Sequence, residues 1–96
     1  MEEPQFYANG CWIVAVFHVK TKKNCYLGQI LDILENEEAL FQFYRCQVPY
    51  DQIYVKLSEE ETHEQSCIMK SVPKDVIEII SGDKIKLLQD VGVKLV

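Results

Sequence analysis

Cys11–Lys20 reads CWIVAVFHVK. Val, Ile, Trp and Phe dominate it, and such branched or flat side chains suit the pleated surface of a strand. A strand with one wet face alternates apolar and polar residues. This one is apolar on both faces until His18, so both faces need cover. In a short chain that condition is met when a sheet curls into a closed or nearly closed barrel. The stretch therefore predicts a mainly β fold, a small antiparallel barrel.

The flanking sequence extends the pattern. Thr21–Asn24 (TKKN) is a polar break suited to a hairpin turn. Cys25–Leu34 (CYLGQILDIL) carries Leu27, Ile30, Leu31 and Leu34 at helical spacing. Gly28 at its middle would cost a helix about 1 kcal/mol relative to Ala, and polar clusters bound it at strand length, so strand is the expectation. In a strand Gly28 marks a sharp bend or the close approach of another backbone. Glu35–Glu38 is the next turn, and Ala39–Gln47 (ALFQFYRCQ) a third, aromatic-rich strand. Three strands joined by short turns make an antiparallel meander.

Beyond Gln47 the pattern loosens. Pro49 and Asp51 mark a loop, and Gln52–Leu57 alternates as a fourth strand. Ser58–Gln65 (SEEETHEQ) has no aliphatic or aromatic apolar group and reads as a solvated loop. Ser66–Lys70 is a short strand. Pro73–Ile80 (PKDVIEII) reads as one short C-terminal helix, with Pro at its first position, Val76, Ile77, Ile79 and Ile80 at helical spacing and Ser81-Gly82 as its stop. Lys84–Val96 is a final strand or strand pair around Gly92.

Ninety-six residues make a single domain, 1–96, with a core over about 10–80 and an added C-terminal segment, 81–96. The net charge is −5. Arg45 is the single arginine, so phosphate-neutralising groups are scarce and nucleic acid is disfavoured as a partner. An acidic surface suits a basic peptide, and it also serves solubility alone. No apolar run reaches the roughly 20 residues of a membrane span. The start, Met1-Glu2-Glu3-Pro4, is acidic where a secretory leader is basic. The reading is a soluble intracellular protein, placed in the nucleus ahead of the cytoplasm.

Cys11, Cys25, Cys46 and Cys67 are spaced by 14, 21 and 21 residues, with no metal-binding knuckle, and read as reduced, packed thiols. No metal site and no cofactor are expected. The four glycines, at 10, 28, 82 and 92, form no phosphate loop, and no nucleophile elbow occurs. Ser66 near His63 lies in the charged stretch, where nothing would hold catalytic geometry. No catalytic residue is expected, and the chain reads as a non-enzyme.

Aromatics remain. Trp12, Phe17, Tyr26, Phe41, Phe43 and Tyr44 lie on three successive expected strands. A domain this small leaves some of them exposed, where they can anchor a partner, or uses them all as core and rim. The order Gly10-x-Trp12-x-Val14-Ala15-Val16-Phe17, then Tyr26-Leu27-Gly28-Gln29-Ile30-Leu31, then Ala39-Leu40-Phe41-Gln42-Phe43-Tyr44, with Val72-Pro73-Lys74-Asp75-Val76-Ile77 closing, resembles a Tudor-type SH3-like barrel. That resemblance implies a cage for a methylated lysine or arginine, held by cation–π attraction. The matching positions are Phe17, Tyr26 and Phe43, with Tyr44 replacing Phe43 if the register slips by one. Asp32, Glu35 or Asp51 would add attraction for a cation. This chain departs from the family in having Arg45-Cys46-Gln47 where an aromatic–Gly–Asn loop is usual.

Three functions follow as expectations. The first is a chromatin- or ribonucleoprotein-associated module that binds a protein or peptide, with methylated Lys or Arg as the caged group. The second is a homodimerisation or scaffold domain using apolar surface, with Trp12, Phe41, Val91, Val93 and Leu95 as candidates. The third is weak single-stranded nucleic-acid binding through Lys20, Lys22, Lys23 and Arg45.

Overall fold

The computed structural model describes residues 7–96, so the acidic start Met1–Pro4 lies outside the described residues. Seven strands form one antiparallel sheet: β1 Trp12–Val19, β2 Lys22–Ile33, β3 Glu38–Val48, β4 Ile53–Glu64, β5 Ile68–Val72, β6 Ile77–Ile79 and β7 Lys84–Leu87. Their order is β5-β1-β2-β3-β4-β7-β6. The expected β-meander is β1-β2-β3-β4, and its turns are tighter than the sequence suggested. Val19 already pairs with Lys22, so most of TKKN is strand. Asn36 and Glu37 both take left-handed backbone (φ 60° and 62°) to close the next hairpin.

The central strands are covered on both faces, as CWIVAVFHVK requires. Successive residues along a strand alternate between two apolar clusters. One cluster gathers Trp12, Val14, Leu27, Tyr44, Tyr54 and Ile85. The other gathers Ile13, Ala15, Ile30, Ala39, Phe41 and Phe43. Gly28 stands opposite Phe43 across the β2–β3 ladder. A Cβ there would lie 2.8 Å from the Phe43 ring, so the missing side chain is the space that the ring occupies.

Ser58–Gln65 is not a loop. Most of it is the second half of β4, laddered to β3 through Leu40↔Thr62 and Gln42↔Glu60. The strand holds through backbone pairing to an apolar neighbour, and its own side chains can be polar because its flank is wet. Between Gln42↔Glu60 and Tyr44↔Lys56 the register shifts, which leaves Leu57, Ser58 and Glu59 opposite Phe43 alone. Such a bulge bends a strand and strands its polar groups. Buried Gln42 repairs the damage, its Nε2 donating to the Leu57 carbonyl at 2.8 Å and to the Phe43 carbonyl at 3.1 Å. Gln42→Leu keeps the bulk and removes the donor. We expect a loss of about 1–3 kcal/mol in denaturant unfolding, the cost of a stranded buried acceptor.

The C-terminal helix expected over Pro73–Ile80 is likewise corrected. Pro73 leads only into a 3-10 turn, Lys74–Val76, and the chain then enters β6. Ile77 and Ile79 pair with Leu87 and Ile85 of β7. β-branched side chains lose rotamer freedom in a helix and suit a strand, and here a partner strand lies within reach. A second 3-10 turn, Gln65–Cys67, joins β4 to β5.

The expected final strand is present as β7, Lys84–Leu87, but beyond it residues 88–96 form no regular strand. Leu95 bridges Cys25 in parallel, with Val96 N donating to the Cys25 carbonyl at 2.8 Å and Cys46 N donating to the Val96 carbonyl at 3.0 Å. The β2–β3 ladder begins at Leu27↔Tyr44, so the tail wedges where those two strands part.

Candidate functional site: an aromatic cavity

Phe17 stands near the end of β1, Tyr26 on β2 and Phe43 on β3. Alternation places all three on the face of the second cluster. In a flat sheet β1 and β4 would lie three strand spacings apart, about 14 Å. The rings of Phe17 on β1 and His63 on β4 have centroids only 4.7 Å apart. The sheet therefore curls strongly toward this face, and the curl gathers side chains from four strands.

A cavity of about 260 Å³ opens there, lined by Phe17, Val19, Asn24, Tyr26, Phe43, Leu57, Glu61 and His63. Phe17 is its hub. Its ring centroid lies 6.0 Å from that of Tyr26 and 5.8 Å from that of Phe43, and Tyr26 and Phe43 are 6.0 Å apart. Tilted and edge-on packing at these separations is favourable, so the rings hold one another in place. Phe43 is almost wholly buried, whereas Phe17 and Tyr26 are half-buried. Behind Phe43, Phe41 stacks at 5.4 Å and 16°. The wall is completed by Glu61, whose Oε1 meets His63 Nε2 at 2.9 Å.

The sequence-expected residues divide clearly. Phe17, Tyr26 and Phe43 converge. Tyr44 does not join them, because the register is unslipped and its ring packs against Trp12 at 5.2 Å on the other face. Trp12 and Phe41 are core residues, 6% and 0% exposed, and offer no surface to a partner. Val91, Val93 and Leu95 are half-buried against the first cluster, whereas Ile79, Ile80, Leu88 and Val96 are exposed. None of Asp32, Glu35 and Asp51 lines the cavity, where Glu61 supplies the carboxylate. Arg45 lies outside the lining as well, beside a separate hollow with Cys46 and Gln47. Glu61 and His63 were missed because SEEETHEQ has no apolar residue to reveal which positions face inward. Alternation counted forward from Leu57 was the available signal, since Leu57, Glu61 and His63 share one parity.

Two titratable groups outside the cavity lining are shifted by burial. Burial pushes the Cys67 thiol from 9.0 up to about 11, so little thiolate exists near neutrality. Burial, helped by the neighbouring Cys46 and Asp90, pushes the Tyr54 phenol from 10.0 up to about 12. Both groups are held neutral by the fold. Their contribution is intact below about pH 9, where folded and unfolded chains are both protonated. It is lost as pH rises, since the unfolded chain ionises first. The urea midpoint should thus fall between about pH 9 and pH 12, and Cys67→Ala should flatten the lower part of that fall.

Among the described residues, no three His, Cys, Asp or Glu side chains gather to hold a metal, and no helix is long and apolar enough to cross a membrane. Fold and site together define a mainly β antiparallel domain with an aromatic cavity bearing one carboxylate. No family model, curated protein or solved structure matches the chain.

Proposed function

We propose that this protein is a non-catalytic interaction module that receives a cationic side chain of a partner protein in the aromatic cavity, with methylated lysine or arginine as the preferred group. The observation that carries this reading is the convergence of Phe17, Tyr26, Phe43 and His63 with the Glu61 carboxylate around one open cavity. Aromatic faces are electron-rich and attract a cation within about 6 Å of the ring centre. Methylation spreads the charge over apolar surface and weakens its hydration, which suits a wall of rings better than bare ammonium does. Glu61 adds a Coulombic anchor, and the net charge of −5 favours approach of a basic segment. A chromatin- or ribonucleoprotein-associated role fits such a ligand.

The test is an amide-shift titration of the labelled domain with matched methylated and unmethylated Lys and Arg peptides. Saturable shifts at Phe17, Tyr26, Phe43 and His63, stronger with methylated peptide, support the reading. Uniform or absent shifts reject it. A second reading, self-association, is favoured by the exposure of Ile79, Ile80 and Leu88 on and beside end strand β6. Sedimentation of the chain and of Ile79→Lys separates the two, since a lower mass for the variant would reveal a dimer.

A further inference from the structure

The cavity lies between two uncovered strand edges. β5 pairs with β1 only from Trp12 to Ala15, so among the described residues no strand covers the outer edge of β1 beyond Ala15, where Phe17 and Val19 stand. β7 pairs with β4 only from Ile53 to Val55, so among the described residues no strand covers the outer edge of β4 beyond Lys56. That edge runs through Ser58–His63, next to the cavity residues Leu57, Glu61 and His63. Its backbone is in strand conformation already, held by the ladder to β3. An uncovered edge is a template for another strand, because half of its N–H and C=O groups point away from the sheet. Charge is one way proteins block edges, and here the charge is of one sign: Glu59, Glu60, Glu61 and Glu64, with no Lys or Arg between Lys56 and Lys70. Glutamates of that kind repel an acidic or apolar strand and attract a basic one. Glu61 faces the cavity, and Glu60, one residue away, faces the opposite side.

We infer that an extended basic segment of the partner adds as a strand to the β4 edge over Ser58–His63, delivering one cationic side chain into the aromatic cavity while the basic residues on either side of it, whose side chains point to the other face, lie on the face of Glu60 and Glu64. This rests on the cationic-ligand reading of the cavity and adds how the ligand is presented. Main-chain bonds would supply affinity that is indifferent to sequence, and the cavity and glutamates would select for basic residues at successive positions, one set for each face.

A seven-residue peptide with a central trimethyllysine, a lysine on each side of it and threonine elsewhere is the probe, so that the trimethyllysine and its flanking lysines point to opposite faces. Two derivatives carry backbone N-methyl groups on alternate residues, one derivative for each set. In a strand added to an edge, only one set of amides faces the sheet. One derivative should therefore bind the intact chain at least about tenfold more weakly, while the other binds like the parent. Amide shifts should extend along residues 58–63. If both derivatives bind like the parent, or both weaken equally, strand addition is overturned. Phe17→Ala separates this from the cavity reading. Loss of affinity in that variant with no effect of N-methylation leaves the cavity standing without the strand. One-sided N-methyl sensitivity with unchanged affinity for Phe17→Ala leaves the strand without the cavity. A parent peptide that does not bind overturns both.

Discussion

Phe41→Ala is expected to lower the unfolding free energy by about 3–5 kcal/mol, the cost of emptying a fully buried phenylalanine site. Phe41 is fully buried and stacks on Phe43. It also faces β2, standing opposite Ile30 across the ladder. The neighbours cannot collapse into the gap without breaking the β2–β3–β4 ladders that hold them. A domain of this size has only about 5–15 kcal/mol in hand, so the variant should show a much reduced urea midpoint. The urea dependence should stay near that of the parent, because the surface exposed on unfolding changes little. Because Phe41 backs Phe43, the cavity wall should loosen too, and ring-current shifts of the Phe43 protons should collapse toward their unfolded values.

The second large effect falls on binding. Phe17 is in ring contact with Tyr26, Phe43 and His63, so in the proposed complex it would both face the ligand and fix the other rings. Phe17→Ala should weaken binding of a trimethyllysine peptide by at least about tenfold, combining a lost cation–π face with a disordered wall. Phe17 is only half-buried, so the stability loss should be well below that of Phe41→Ala. Tyr44→Phe supplies the contrast. Tyr44 packs against Trp12 on the opposite face, and the variant should leave peptide affinity unchanged. Isothermal titration of the three chains checks both statements.

The strands whose own side chains bury were legible in the sequence. CWIVAVFHVK and ALFQFYRCQ declare themselves by their density of apolar and aromatic residues, and Gly28 marks a crowded position, although the Phe43 ring and not another backbone fills it. The three cavity positions Phe17, Tyr26 and Phe43 came from the resemblance to a Tudor-type barrel, matched onto β1, β2 and β3. What was illegible depends on neighbours. SEEETHEQ is a strand because β3 lies beside it, and nothing in its composition says so. PKDVIEII has helical spacing, yet β7, contributed by residues further along, captures its isoleucines as an edge strand. The β4 bulge and the curl of the sheet set which glutamate enters the cavity, and both are long-range outcomes. Hence Glu61 and His63 were found only in three dimensions, and Asp32, Glu35 and Asp51 were expected in a place that the hairpin turns do not bring them.

The central claim is that the cavity is a site for a cationic, preferably methylated, side chain. The most direct measurement is the chemical-shift titration of the labelled chain with a trimethyllysine peptide and its unmethylated twin, following the ring protons of Phe17, Tyr26 and Phe43. The account predicts saturable shifts of those rings with the methylated peptide, and weaker or unsaturated shifts with its twin. Rings that stay unmoved at the highest concentration of both peptides would contradict it.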